Sequence, residues 1–334
     1  MMLETRPSRF DKIAVVLIAL AAAALLITAG GWTLGLRSWW AFSFLVYVPV
    51  GLRWLAAALV VVAALPPLYG WWAPLGKLWC PPWLAVLIAL PLFWFLREHT
   101  WHGDALYKVA LLSTETLQSD PYVWKEPLDS FFEHLLAAAV RPIGLQPDSA
   151  VALMSVVAGG LYVAAVWVVS AWLAEQGARR FVYRVGLLAT GASLLWFGHV
   201  ENYSWSTALA FTTVVLGAGV LQGQAPLWLA GLVAGVAVSF HPQSAFVAPA
   251  LLLLVRGRQW PRQLLALVAA GSVVPVATVL LFWALGIPSP LLAGQGFAGD
   301  SQLFWTPAQA LAPGQVAQAL QNLWLIAPLW PMAI

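Results

Sequence analysis

Acidic side chains are concentrated in one stretch of an otherwise apolar chain. Eight of the thirteen aspartates and glutamates lie within residues 98–148, although the 334-residue sequence is 62% hydrophobic and only 9% charged. A chain so poor in charge places it where water, a cation or a charged substrate has to be met. Carboxylates at such a place can act as general bases or as oxygen ligands for Mg²⁺ or Mn²⁺. This stretch is the predicted functional region.

The first candidate group is the run Arg97-Glu98-His99-Thr100-Trp101-His102-Gly103-Asp104-Ala105-Leu106-Tyr107. Asp104 precedes an apolar helical pattern, so one interpretation makes it a helix N-cap. A second interpretation makes it a general base, or an oxygen ligand for a divalent metal, at the boundary between water and lipid. If this turn is helical, His99 and His102, three residues apart, can join Asp104 in holding the metal.

The second candidate group is the run Asp120-Pro121-Tyr122-Val123-Trp124-Lys125-Glu126-Pro127-Leu128-Asp129-Ser130-Phe131-Phe132-Glu133-His134. Pro127 suits the first turn of a helix, and the apolar residues after it recur at helical spacing with charged residues opposite. The pattern predicts an amphipathic helix on the outer leaflet, with Asp129 and Glu133 on a solvated face. Lys125 and Glu126 precede this helix and can face a pocket.

Two shorter polar groups separate later apolar runs, namely His199-Val200-Glu201-Asn202-Tyr203 and His241-Pro242-Gln243. Ionisable side chains at membrane depth are functional candidates, because burying them in lipid is costly. The alternative for the first group is a short solvated turn. The alternative for the second is that His241 simply caps the break that Pro242 introduces.

The composition indicates an integral membrane protein. The mean hydropathy is +0.83, and apolar runs recur near the roughly 20 residues that a helix needs to cross the hydrocarbon layer. Because backbone groups in lipid must bond internally, these runs are predicted to be helices. Many of the 21 tryptophans stand at the edges of runs, as in an aromatic belt. The scattered cations do not indicate nucleic acid binding, and the single cysteine excludes an intrachain disulfide.

The predicted fold class is an all-α, polytopic transmembrane bundle of about 9–10 spans. Residues 1–334 form one such domain, in which 98–148 is a large extracytoplasmic loop containing interfacial helices. We expect the first run to be an uncleaved span and the last to continue beyond Ile334. The predicted spans are 13–30, 41–68, 82–97, 149–174, 185–198, 204–221, 226–240, 243–255, 264–286 and one beginning near Asn322.

The distribution of charge predicts the orientation. Three basic clusters fall on one side if the spans alternate, and the positive-inside rule places that side in the cytoplasm. The loop 98–148 then lies outside with eight acidic and three basic side chains, a net charge of −5. All five histidines fall on this same outer side. The basic clusters are Arg6, Arg9 and Lys12; Arg179, Arg180 and Arg184; and Arg256, Arg258 and Arg262.

These motifs, in this order, resemble the GT-C superfamily of integral-membrane glycosyltransferases, including bacterial protein-mannosyltransferases and aminoarabinose transferases. Gly103-Asp104-Ala105-Leu106-Tyr107 resembles the acidic motif of their first loop. Lys125-Glu126-Pro127-Leu128 resembles their Lys-Pro-Pro-Leu element, with Glu126 where proline is usual. His199-Val200-Glu201-Asn202-Tyr203 stands where such proteins often have a second polar motif. The resemblance covers about residues 90–205, and the rest of the chain matches in hydropathy alone.

The resemblance implies transfer of a sugar from a polyprenyl-phosphate donor to a hydroxyl or amine of a glycan, lipid or protein acceptor at the outer face of the plasma membrane. Asp104 is then the general base, or holds a divalent metal together with His102. Positively charged side chains then stabilise the negative charge that develops on the leaving phosphate. The implied donor-phosphate and substrate-binding residues are Arg97, Lys125, Glu126, Arg141, His199, Glu201, Asn202, Tyr203 and His241. Those for sugar stacking are Trp101, Tyr107, Tyr122 and Trp124, which an aromatic belt also explains.

Two other classes of protein are compatible with the sequence. A transporter or lipid-linked-sugar flippase also needs polar groups between helices, but near the bilayer midplane and often in two related halves. A non-catalytic subunit of a polysaccharide assembly complex is the other alternative. The crowding of charge at one boundary favours the enzyme. The enzyme hypothesis requires the carboxylates and imidazoles of separate hairpins to meet in one water-filled cavity.

Overall fold

The computed structural model is helical throughout the regular elements that it describes. It describes residues 50, 51, 54, 58, 80–97, 105–173, 180, 183, 184, 187, 188, 197–200, 203–287 and 312–317. The chain divides into two compact units, of which one comprises residues 1–78, 176–182 and 304–334, and the other residues 79–175 and 183–303. Nearly all described residues belong to the second unit, and the elements below are its own.

Eight α-helices are described in this unit. They are α1 (Pro82–Phe95), α2 (Ala105–Thr114), α3 (Pro127–Val140), α4 (Pro147–Leu173), α5 (Tyr203–Leu221), α6 (Leu227–Phe240), α7 (Ala248–Leu252) and α8 (Trp260–Ala284). Short 3₁₀ helices follow α3 at Arg141–Ile143 and α6 at Pro242–Val247. Prolines open several of these helices, since the first turn has no intrahelical partner for its N–H groups.

Three of the helices are long and apolar enough to cross a membrane, namely α4, α5 and α8. They confirm the spans predicted at 149–174, 204–221 and 264–286 as membrane-type helices. The helices α1 and α6 match predicted spans in position and are apolar, but each has only 14 residues. The spans predicted at 13–30, 41–68 and from Asn322, and most of 185–198, lie outside the described residues.

The span predicted at 243–255, for which Pro249 left a re-entrant or irregular backbone open, is not one continuous helix. Residues Pro242–Val247 form a 3₁₀ helix, and α7 adds only five residues before the chain turns. Two prolines remove backbone donors within this short run, which prevents a regular α-helical ladder. The Nδ1 atom of His241 accepts a hydrogen bond from the backbone N–H of Gln243 at 3.3 Å. His241 therefore caps this break, as one of the two interpretations of the sequence predicted.

Each long helix packs on the next one along the chain. α1 packs on α4, α4 on α5, α5 on α6, and α6 on α8, while α3 contacts α4 and α6. Small residues permit the closest approaches between these helices. A Cβ atom at Gly159 would lie 2.7 Å from the ring of Phe93 on α1. A Cβ atom at Gly235 would clash with the carbonyl oxygen of Gly271 on α8.

A buried serine fastens the segment 197–200 to the bundle. Ser155 of α4 shares a 2.8 Å hydrogen bond with the hydroxyl of Ser204 on α5. The Ser155 hydroxyl also accepts the backbone N–H of Gly198 at 2.9 Å. Gly198 has φ +90°, and a Cβ there would lie 2.5 Å from the carbonyl oxygen of Phe93, so this close turn requires glycine.

Removal of the Ser155 hydroxyl is expected to loosen this junction. Ser155→Ala leaves buried polar groups without that partner and should lower the free energy of unfolding by about 1–3 kcal/mol. Denaturant unfolding of the purified protein in detergent measures the loss. The matched control is Ser272→Ala, whose exposed hydroxyl bonds only the carbonyl of Val268 on its own helix. Equal stability of the two variants would contradict the assigned role of Ser155.

Candidate functional site

Four ionisable side chains meet between α2 and α3. The Nζ atom of Lys108 lies 2.6 Å and 2.5 Å from the two carboxylate oxygens of Glu133, and 3.2 Å from Oε2 of Glu126. Asp129 is one turn before Glu133 on α3, and its charge also acts on Lys108. The exposed fractions are 6% for Lys108, 4% for Glu126, 3% for Asp129 and 3% for Glu133. We call these four residues the Lys108 cluster.

Helical spacing places these charges on the inner faces of both helices. On α2, Lys108 shares the buried stripe with Ala105 and Leu112, which are three and four residues away. On α3, Asp129 and Glu133 continue into a stripe of small apolar residues that ends at Val140. The apolar ends of these stripes pack together in one core cluster, which also contains Ala150 and Val151 of α4. This core sets the distance between α2 and α3 and so brings lysine and carboxylates together.

The amphipathic helix predicted from Pro127 exists, but its predicted orientation is wrong. Its charged face was expected to be solvated, whereas Asp129 and Glu133 are buried. The exposed residues are apolar, with Phe132 39% and Leu135 56% exposed. Lys108 provides an internal partner for the carboxylates, and an apolar outer face is the stable one against lipid. The helix is therefore turned by about half a revolution from the expected position.

The cluster carries more negative than positive charge, and this perturbs its titration. Burial alone lowers the pKa of Lys108, but the adjacent carboxylates, Glu133 first, outweigh it and raise the pKa well above its usual range. Burial raises the pKa of Glu133, and Lys108 opposes that rise. The pKa of Asp129 is raised well above its usual range by burial, with Lys108 opposing and the other carboxylates adding to the rise. The surroundings thus favour the charged form of Lys108 and shift the equilibrium of Asp129 toward its protonated form.

A second pair stands beside the cluster. Oδ2 of Asp120 lies 3.2 Å from Nε2 of His134, and Oδ1 accepts the backbone N–H of Tyr122 at 2.8 Å. Burial raises the pKa of Asp120, but these hydrogen bonds, His134 first, lower it overall. Asp120 is thus held ionised, and it fixes the turn that leads to Glu126.

The segment after α6 brings a histidine to the same region. Phe132 of α3 stacks on Phe240, the last residue of α6, with ring centroids 5.9 Å apart. The next residue, His241, is buried and lies against Tyr203 with ring centroids 5.4 Å apart. Burial lowers the pKa of His241, with Glu126 opposing and Lys108 adding to the effect. His241 therefore lies within the electrostatic influence of Glu126 and Lys108, and Tyr203 is in ring contact with it.

The three cations predicted to bind phosphate have different surroundings. The Nη1 atom of Arg97 donates to the carbonyl of Trp94 at 2.9 Å, and its guanidinium lies over that indole ring. Arg141 is exposed and follows Glu133 by eight residues, about 12 Å farther along the helix axis. Lys125 is exposed, directly precedes Glu126, and lies over the ring of Tyr122. Of the three, Lys125 is the accessible cation next to the cluster.

The aromatic residues predicted to stack on sugar divide into two pairs. Tyr107 and Tyr122 pack edge to face at 5.3 Å, and Tyr107 is exposed. They form a tyrosine edge next to Lys125. Trp124 instead packs against Phe282 of α8 at 5.2 Å, in a core cluster with Val123. The described contacts give Trp124 a packing role.

His199 is the described residue of its polar group and is half-buried in the segment 197–200 that Ser155 holds.

Five other predicted site residues lie outside the described residues. The residues outside the described ranges are the predicted base and metal ligand Asp104, its companion His102, and Trp101, Glu201 and Asn202. The predicted meeting of Asp104 with Glu201 therefore stays a prediction.

The Lys108 cluster does not fit a divalent metal. Its ammonium group already lies between Glu126 and Glu133, where a cation would have to be. Among the described residues, no group of three or more histidine, cysteine, aspartate or glutamate side chains is arranged to hold a metal ion. The metal ligands predicted at Asp104 and His102 belong to a different place in the chain.

Sequence reasoning missed the centre of this site. Lys108, Asp129 and Glu133 were treated as loop or surface charges, although all three are buried. The available signal was that Lys108 is the only charged residue of the ten-residue apolar helix α2 and shares a face with Ala105 and Leu112. A lone lysine on an apolar stripe requires a buried anion.

No family model, curated protein or solved structure matches the chain. The resemblance to GT-C glycosyltransferases rests on the sequence motifs alone.

Proposed function

We propose that this protein is a membrane glycosyltransferase that moves a sugar from a polyprenyl-phosphate donor to an acceptor hydroxyl or amine at the outer membrane face. The main support is the contact between Lys108 and Glu126. It joins two segments that the sequence singled out separately, the one opened by Gly103-Asp104 and the one containing Lys125-Glu126-Pro127. His241 and Tyr203 approach the same place from two further segments.

The contacts of the described residues support a separate role in sugar transfer for each group. Lys108 is occupied by Glu133 and Glu126, so its role is to hold α2 against α3 rather than to bind phosphate. Asp104 immediately precedes α2 in the chain, and anchoring of α2 would restrict where such a base can be. Lys125 is the exposed cation that can meet the negative charge developing on the lipid phosphate. The adjacent tyrosine edge, Tyr107 and Tyr122, provides ring faces for a sugar.

Asp104→Asn is expected to abolish the proton transfer while keeping the side chain's shape. A positioned base contributes about 10²–10⁴ to the rate, so sugar transfer should fall by that factor. The assay uses the full chain in vesicles with a radiolabelled polyprenyl-phosphate sugar and counts label in the acceptor fraction. The matched control is Asp148→Asn at the start of α4, which should transfer at the wild-type rate.

Wild-type transfer by a folded Asp104→Asn protein would remove this residue from the chemistry. A buried, protonatable charge cluster also suits a transporter, in which such groups carry coupling protons. Counterflow of labelled solute without a covalent product would support that second function and contradict the enzyme.

Lys125→Met should weaken donor binding in the enzyme while leaving the fold intact.

A further inference from the structure

The negative charges of the Lys108 cluster outnumber its positive charge. Three carboxylates face one ammonium group, so full ionisation would leave a net charge of −2 among side chains that are each at least 94% buried. Glu133 receives two hydrogen bonds from Lys108, and Glu126 pairs with the same ammonium group. Oδ2 of Asp129 is buried and has no hydrogen-bond donor among the described residues. An ionised carboxylate in that position would be strongly unfavourable.

We propose that the Lys108 cluster is a proton-binding site, in which the carboxyl group of Asp129 holds one exchangeable proton at neutral pH. The bound proton turns Asp129 from a group that only accepts hydrogen bonds into one that can also donate an O–H hydrogen bond. It also reduces the net charge of the cluster to −1. This inference does not rest on the proposed function, since it concerns only the charge state of described residues.

The charges acting on Asp129 all favour this assignment except one. Lys108 on α2 opposes protonation, but Glu133 on α3 already engages that ammonium through both oxygens. Glu133 and Glu126 both add negative charge and favour the proton on Asp129. The other titratable groups of the region are Lys125, His241, and the Asp120–His134 pair, which acts on Glu133 through Asp120.

Two isosteric substitutions on one helix test the proposal. Asn has the shape of a protonated Asp, so Asp129→Asn should keep the wild-type melting temperature at pH 7 or raise it. Glu133→Gln, one turn later, removes the carboxylate that accepts both hydrogen bonds from Lys108 and should lower the melting temperature by roughly 3–12 °C. If Asp129→Asn lowers it as much as Glu133→Gln does, or prevents folding, Asp129 is ionised and the proposal is wrong.

The pH dependence supplies a second readout with a definite sign. The folded protein keeps a proton on Asp129 that the unfolded chain releases above about pH 4, so the contribution of Asp129 to stability should fall as pH rises from there. Asp129→Asn should remove this part of the slope, and Asp148→Asn should retain it.

Infrared difference spectroscopy of the full chain in nanodiscs observes the proton directly. The spectrum of wild type minus Asp129→Asn at pH 7 should contain the C=O stretching band of a protonated carboxyl group. The same difference for Glu115→Gln, whose side chain is exposed just after α2, should lack it. Absence of the band from the Asp129 difference would overturn the proposal whether or not the protein transfers sugar.

Discussion

Replacing Lys108 by methionine is expected to destabilise the protein more than any other single change to the site. Methionine keeps the length and apolar stem of the side chain but leaves Glu126, Asp129 and Glu133 buried without a cation. Breaking a buried ion pair by removing one partner costs about 3–5 kcal/mol, and here two carboxylates lose their partner at once. The free energy of unfolding in detergent should fall by at least that amount.

The variant should also change its pH dependence. Carboxylates that are crowded without a cation bind protons more tightly in the folded state than in the unfolded one. The stability of Lys108→Met should therefore be highest at acidic pH and decline as pH rises above roughly 4. Unfolding curves recorded across this range give the slope.

Lys125→Met is the matched control for Lys108→Met. The two lysines lie in the same region of the chain, but Lys125 is exposed, and exposed substitutions usually change stability by within about 0.5 kcal/mol. Combining Lys108→Met with Glu133→Gln should restore part of the loss, because it removes one of the unpaired charges. If Lys108→Met is as stable as Lys125→Met, the cluster does not hold α2 against α3.

Gly235→Ala is expected to produce the second large effect, through packing alone. The added Cβ would clash with the carbonyl oxygen of Gly271, and backbone cannot move aside as a side chain can. The helices α6 and α8 would have to separate, at a cost of about 3 kcal/mol or more. Since α6 ends next to His241, the shift should also disturb the candidate site.

Gly217→Ala on α5 isolates the effect of this contact. Its added Cβ would meet Leu254 at 3.5 Å, an ordinary van der Waals distance to a flexible side chain. Alanine is favoured over glycine in helices by about 1 kcal/mol, so this variant should be as stable as the wild type or slightly more stable. Thermal unfolding of both variants compares them directly, and equal midpoints would show that the crossing of α6 and α8 tolerates expansion.

The structure also changes which cations are expected to meet the donor phosphate. The sequence predicted that cations of the loop would meet phosphate, and named Arg97, Lys125 and Arg141. The structure leaves Lys125 as the accessible one beside the cluster, because Arg97 bonds Trp94 and Arg141 follows the far end of α3. Lys108, the most buried cation of the described residues, pairs with Glu126 and Glu133 and was not among the predicted site residues.

The amino-acid sequence by itself determined the class of the protein and the position of its helices. Apolar length located α4, α5 and α8, because a helix in lipid must satisfy its own backbone. Proline at the first helical position indicated where α3 begins. These are local properties, so they can be read without knowing which segments meet.

Tertiary structure alone decided which face of α3 is buried. The same alternation of Phe132 and Glu133 is compatible with charges facing water or with charges facing the bundle. Which face is buried depends on whether a neighbouring helix carries an opposite charge and whether the surroundings of the bundle are apolar. Lys108 is such a charge, but it precedes Glu133 by 25 residues and belongs to another helix. Because an ion pair is stable when buried only if both partners arrive at the same place, no single segment carries that information.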